Sequence, residues 1–180
     1  MFLSIQELEL HKVHFNVDFP AGEMDFLDKV RQSGPLHAEG VAELVSDVLG
    51  EIRIKGSLSV PMEADCDRCL EPLQLPVASD FDLIYRPASA ITSSASEVQI
   101  VKGESEIGFY EGAGLELGEV LSEHILLSLP MQLVCSESCL GICAHCGQNR
   151  NLGGCKCEPK TADDRWAALR DIKSGLRAGS

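Results

Sequence analysis

Aromatic residues make up only 5% of this 180-residue chain, with a single tryptophan. A core of stacked rings is therefore excluded. At 44% hydrophobic residues, the chain can still bury a modest core of Leu, Val, Ile and Ala. Long apolar runs are also missing, and no window approaches the ~18 residues of a membrane span, so no membrane association is expected. The opening stretch MFLSIQELELHKVHF lacks the basic start, apolar run and small-residue cleavage site of a secretory leader. A cytoplasmic location is the expectation. The cytosol is reducing, which argues against a disulfide framework.

Catalytic signatures are missing too. There is no G-x-S-x-G, no P-loop, no dinucleotide fingerprint and no H-E-x-x-H. The five histidines are scattered and the many carboxylates read as a solvated acidic surface. The chain is read as a protein that is not an enzyme and takes no small-molecule substrate. Positive charge is scarce: the net charge is -13, against broad binding to phosphates. The imbalance is uneven. Residues 1–149 balance to -16 and residues 150–180 to +3. Contact with RNA is thus expected only from the C-terminal end, unless that basic segment simply pairs with the acidic body.

The length fits one domain with a small appendage. The first half reads as strands. Val13 to Phe19 alternates with the period of a half-buried strand. LHAEGVAELVSDV, EIRIKGSLSVPMEAD and LQLPVASDFDLIY continue the pattern, with turns at Gly50 and Glu71-Pro72. Gly56 inside the second of these marks a bulge or a close backbone approach. Strands in series with short links predict an antiparallel sheet or partial barrel. RPASAITSSAS, from Arg86 to Ser96, reads as an exposed loop, and SEVQIVKG as one further strand.

The period changes over 115–129. Leu117, Val120, Leu121, Ile125 and Ser128 share one helical face, and Pro130 ends the helix. His124 borders that stripe and is read as a core-edge histidine rather than a ligand. A second helix is expected over TADDRWAALRDIKSGL, capped by Thr161 or Asp163. It has a stripe of Trp166, Leu169, Ile172 and Leu176 beside Arg165, Arg170, Lys173 and Arg177. The fold class is α+β and β-rich. Residues 1–130 form the body, and residues 131–180 a cysteine-rich segment with a basic helix packed on that body.

The eight cysteines are spaced as Cys66-x2-Cys69 and then Cys135-x3-Cys139-x3-Cys143-x2-Cys146-x8-Cys155-x-Cys157. Zinc takes four tetrahedral thiolate or imidazole ligands, with pairs supplied by tight turns. Eight cysteines make two such sets. Cys143-Ala-His-Cys146-Gly147 is a knuckle, and Gly153-Gly154 turns the chain so that Cys155 and Cys157 meet it. Cys66, Cys69, Cys135 and Cys139 would form the other set. Pairing Cys66 and Cys69 with Cys143 and Cys146 stays open, and His145 is read as a spectator. One or two structural Zn²⁺ ions are expected. Redox chemistry is the rival, since C-x-C plus C-x-x-C also occurs in redox-switched zinc chaperones. Cys66 and Cys69, however, do not begin a helix as a thioredoxin-type site would.

The segment Cys66-Asp67-Arg68-Cys69-Leu70-Glu71-Pro72 resembles the C-x-R-C-L-x-P signature of the YceD family, the large ribosomal RNA subunit accumulation proteins. The block from Cys135 to Gly147 resembles its C-x3-C-x-G-x-C-x2-C-G signature. Asp164-Arg165-Trp166 with Ala167, Ala168 and Leu169 resembles its closing D-P-R-x-x-x-L motif, though here Asp163-Asp164-Arg165 stands where many members have Asp-Pro-Arg. The resemblance implies a cytoplasmic role in 23S ribosomal RNA accumulation and maturation of the large subunit. Ribosomal proteins or pre-50S particles are the implied partners, with rRNA within reach of the C-terminal basic segment.

Overall fold

Among the described residues, eight strands and two α-helices follow one another as β1 (Phe2–Ser4), α1 (Ile5–Leu10), β2 (Val13–Phe19), β3 (Val30–Gln32), β4 (Leu36–Ser46), β5 (Glu51–Asp65), β6 (Pro72–Pro87), β7 (Ile107–Tyr110), β8 (Gly114–Glu116) and α2 (Leu117–Ser128), with a 3-10 turn at Ala88–Ala90 after β6. The computed structural model describes residues 1–24, 26, 30–46, 50–90 and 107–157. The chain divides into two units, Met1–Cys139 and Leu140–Ser180. Every strand and helix named above lies in the first.

β5 organises the large sheet. Its even-numbered residues Ile52, Ile54, Leu58, Val60, Met62 and Ala64 are buried, the period-two pattern of a strand with one face on the core. One edge of β5 pairs along its length with β6, from Ile52↔Tyr85 to Asp65↔Pro72. The other edge pairs first with β4 and then, at Met62–Ala64, with β3. The step between β3 and β4 explains a proline in a central strand. Ser33 donates its N–H to the Pro61 carbonyl, so the side of Pro61 that lacks a donor faces this break in the ladder. The order is β2-β4-β5-β6-β7, and among the described residues β2 and β7 do not pair, so the sheet is not closed into a barrel. One pairing departs from the antiparallel expectation: β6 and β7 run parallel. Residues 88–106 connect them, long enough for the crossover a parallel pair requires.

One row of the sheet runs Phe15, Gly40, Gly56, Phe81 across four strands. A Cβ on Gly56 would stand 2.2 Å from the Glu39 carbonyl oxygen, and one on Gly40 2.4 Å from that of Lys55. Only glycine permits this approach, and the two buried phenylalanine rings cover the gap. Gly56 therefore marks a close approach. The register shift lies elsewhere, between Leu44 and Ser46.

α2 buries Leu117, Val120, Leu121 and Ile125, the spacing of one helical face. Leu129 caps it and Pro130 follows. His124 sits at the core edge, its Nε2 3.1 Å from Ser79 Oγ and its ring tilted on Phe81 at 5.5 Å. Burial lowers its pKa. Tyr85 donates to Glu123 at 3.1 Å. A small second sheet joins β1 to β8, and α1 follows β1 with its N-terminus capped by Ser4 Oγ, which accepts from Glu7 N–H. The expected strand at SEVQIVKG, the loop beyond Ala90 and the helix over 161–176, with Trp166, lie outside the described residues. Arg86 and Pro87 of the expected loop complete β6.

Candidate metal centres

The β5–β6 hairpin is long and regular, and its six-residue tip is the first C-x-x-C. Cys66 N–H donates to the Glu71 carbonyl and Leu70 N–H to the Cys66 carbonyl, both at 2.9 Å. The chain thereby wraps so that Cys66 and Cys69 face the same way. Leu70 pays for the wrap with φ 62, a left-handed conformation that costs a non-glycine residue about 1–2 kcal/mol.

The second pair arrives from the segment after α2. Leu133 is buried in the sheet core. Its N–H donates to Asp67 Oδ2 at 2.8 Å, and its carbonyl accepts from Asp67 N–H at 2.7 Å. Arg68 Nη1 donates to the carbonyls of Glu137 at 3.2 Å and Cys139 at 3.3 Å. The two residues between the first cysteines thus hold the segment that carries the next two. Cys66, Cys69 and Cys139 are buried, with Leu73 and Val134 packed against them.

The sulfurs of Cys66, Cys69, Cys135 and Cys139 all lie within 4.8 Å of one another. Cys66 and Cys139 are 3.9 Å apart, and Cys69 and Cys135 3.6 Å. A tetrahedron with metal–sulfur bonds of about 2.3 Å has edges of about 3.8 Å, so the spacing fits a four-thiolate ion and is far from a sulfur–sulfur bond. Cys135 N–H points at Cys66 Sγ at 3.4 Å, the outer hydrogen bond such sulfurs accept.

The second unit contains its own set. Cys143 N–H donates to the Gln148 carbonyl at 2.8 Å, and Gly147 N–H to the Cys143 carbonyl at 2.9 Å. Gly147 has φ 73. This is the wrap seen at Cys66–Leu70, with glycine in the left-handed position. An Ile142↔Asn149 bridge and Arg150 N–H on the Gly141 carbonyl close the turn. Asn151 Oδ1 accepts from Leu140 N–H at 2.8 Å. Gly153, at φ 145, then leads the chain to Cys155 and Cys157. The four sulfurs of Cys143, Cys146, Cys155 and Cys157 lie within 4.8 Å of one another, and His145 N–H points at Cys143 Sγ at 3.4 Å. His145 is in neither set.

Each set has a thiol that ionises easily and one that resists. At Cys66 burial opposes ionisation, but the N–H groups of Cys135, Cys69 and Arg68 outweigh it and bring the pKa to about 6. At Cys69 the Glu71 N–H pulls down, yet burial and the neighbouring sulfurs push the pKa up to about 12. The N–H groups of His145 and Cys146, with the Cys155 side chain, lower Cys143 to about 6. The Cys146 sulfur, burial and Cys155 push Cys157 up to about 12. Four sulfurs this close hold four negative charges only around a cation. Four thiolates leave no open coordination position, so such a centre cannot activate water. The structure groups the eight cysteines into the two sets of four that their spacing suggested. Sequence reasoning gave no bridging role to Asp67, signalled only by its place inside the C-x-x-C, or to Arg68, which stood there only as the Arg of the C-x-R-C signature.

A family profile described as "Large ribosomal RNA subunit accumulation protein YceD" matches residues 54–173. An uncharacterized protein of Mycobacterium tuberculosis is 25% identical over 167 residues, covering 91% of this chain and 74% of that protein. An uncharacterized protein of Mycobacterium bovis matches to the same extent. One from Mycobacterium leprae is 22% identical over 147 residues, covering 79% of this chain and 61% of its own. No solved structure matches at a significant level. The profile takes in the β5–β6 hairpin, both cysteine sets and more than half of the chain: this protein belongs to the YceD family of large ribosomal RNA subunit accumulation proteins.

Proposed function

We propose that this protein is a non-enzymatic factor for 23S rRNA accumulation and large-subunit maturation, acting in the cytoplasm as an adaptor stapled by two Zn²⁺ ions. The observation that carries the reading is the pair of four-cysteine sets on a chain of this family. Closed thiolate sites supply folding energy and rigidity rather than chemistry. The set at the hairpin tip ties Cys66 to Cys139 and Cys69 to Cys135, 73 and 66 positions further along. The set in the second unit closes a short segment whose described residues contribute nothing to the hydrophobic core clusters.

The partners follow from charge. Residues 1–149 balance to -16, suited to basic ribosomal proteins on a pre-50S particle and unsuited to bare RNA. Residues 150–180, at +3, are the part that reaches rRNA. Depletion of the protein should lower 23S rRNA and the 50S fraction in sedimented extract, and the wild-type chain should restore both. Unchanged 23S rRNA and 50S levels on depletion would sink the reading.

A further inference from the structure

The two cysteine sets differ in what solvent can reach. At the hairpin tip Cys66 is 0%, Cys69 4% and Cys139 7% exposed, and only Cys135 is open. Leu73 and Val134 pack against that set. In the second unit the proportions reverse. Cys146 and Cys157 are exposed, Cys155 is half-buried, and only Cys143 is buried. Gly153 and Gly154, which lead into Cys155, have open space where a side chain would be.

Disulfide formation needs two sulfurs that are close together, at least one of which an oxidant can reach. The first set offers one exposed sulfur whose nearest recorded partner, Cys69, is buried at 3.6 Å. The second offers two exposed and one half-buried, all within 4.8 Å. The described residues of this unit, 140–157, contribute nothing to the hydrophobic core clusters and form no sheet, so these sulfurs can close from contact distance to a bond without dismantling one.

We propose that Cys143, Cys146, Cys155 and Cys157 are the oxidation site of this protein: a hydroperoxide converts them to two disulfides and expels their ion, while the hairpin-tip set keeps its own. In each step two thiolates lose two electrons and join as one S–S bond. The peroxide O–O bond breaks, accepts those electrons and two protons from solvent, and leaves as water and an alcohol, or as two waters from hydrogen peroxide. Two equivalents oxidise the set, and the ion departs hydrated because its four donors are gone. Expulsion of the ion rests on the zinc reading above; the order in which the cysteines oxidise does not.

The test starts from full-length protein purified without chelator, exposed to a few equivalents of hydrogen peroxide. Native mass spectrometry counts ions, and peptide mapping after alkylation locates disulfides. The expected result is loss of one zinc of two, disulfides confined to the four C-terminal cysteines, and return of the second zinc after a thiol reductant and added Zn²⁺. A Cys146→Ser, Cys157→Ser double variant should start with one zinc and keep it at the same dose. Disulfides appearing first among Cys66, Cys69, Cys135 and Cys139, or equal loss of both ions, overturns the proposal. So does release of the variant's remaining ion as fast as the wild type loses its first. A metal-free starting spectrum overturns the zinc reading instead, and the mapped order of oxidation still decides the reactivity.

Discussion

Arg68→Ala probes how the hairpin tip would hold the proposed ion. The guanidinium bonds the carbonyls of Glu137 and Cys139 at 3.2 and 3.3 Å, on the turn that Cys139 N–H closes onto the Ser136 carbonyl. The Asp67–Leu133 pair and the sulfurs also tie the segment carrying that turn to the first knuckle, and the guanidinium is the contact placed on the turn's own carbonyls. Hydrogen bonds from a charged donor contribute about 1.5–3 kcal/mol each, and solvent around this exposed side chain reduces the two together to about 1–2 kcal/mol. The loss falls on the metal-bound state, in which the turn must be in place. That amounts to about a tenfold drop in metal affinity, the low end of what outer-shell partners contribute. In a chelator titration followed by native mass spectrometry, one ion should leave about ten times more readily and the other should be unaffected. Arg68→Lys, a point charge without the fork, should fall between. Unchanged affinity, or equal weakening of both ions, would refute the reasoning.

Further outcomes follow from the same geometry. Gly56→Ala places a Cβ 2.2 Å from the Glu39 carbonyl oxygen; a destabilisation toward the upper end of roughly 1–3 kcal/mol is expected, read as a lower urea midpoint. Leu121→Ala empties a fully buried position under α2 and should cost about 2–5 kcal/mol by the same assay. Cys143→Ser should abolish one metal site and melt the C-terminal knuckle while the sheet's unfolding transition persists; loss of both metals would show that the sets are not independent. His124 has a pKa lowered by burial below 6.5, so the unfolded chain binds the proton more readily. Its contribution is present above 6.5 and lost as pH falls toward the folded value. His124→Gln should therefore give a shallower fall of the urea midpoint on acidification, and an unchanged slope counts against that assignment.

The strands of the body were legible because one face of each meets the core. Ile52 to Ala64 alternates over the length of β5, and Leu117, Val120, Leu121 and Ile125 mark α2 as clearly. Elements defined by distant partners were not legible. β1 finds β8 from the other end of the unit, and β3 is three residues long, fixed by its register on β5. The parallel placement of β7 depends on a long connection whose sequence shows no direction. α1 did leave a trace, since Ser4 stands three residues before Glu7 in the capping pattern. At the two cysteine sets, spacing suggested the knuckles but not their partners. Cys66 and Cys69 had two pairs to choose from, Cys135 with Cys139 or Cys143 with Cys146. The choice is made by Asp67 on the Leu133 backbone and Arg68 on the carbonyls of Glu137 and Cys139, contacts that no local spacing encodes.

The count of metal ions per chain is the most direct test of the central claim. Native mass spectrometry of protein purified without chelator should find two zinc ions on a chain whose eight cysteines are all reduced. A chain with no metal and with cysteines joined as disulfides would contradict the account.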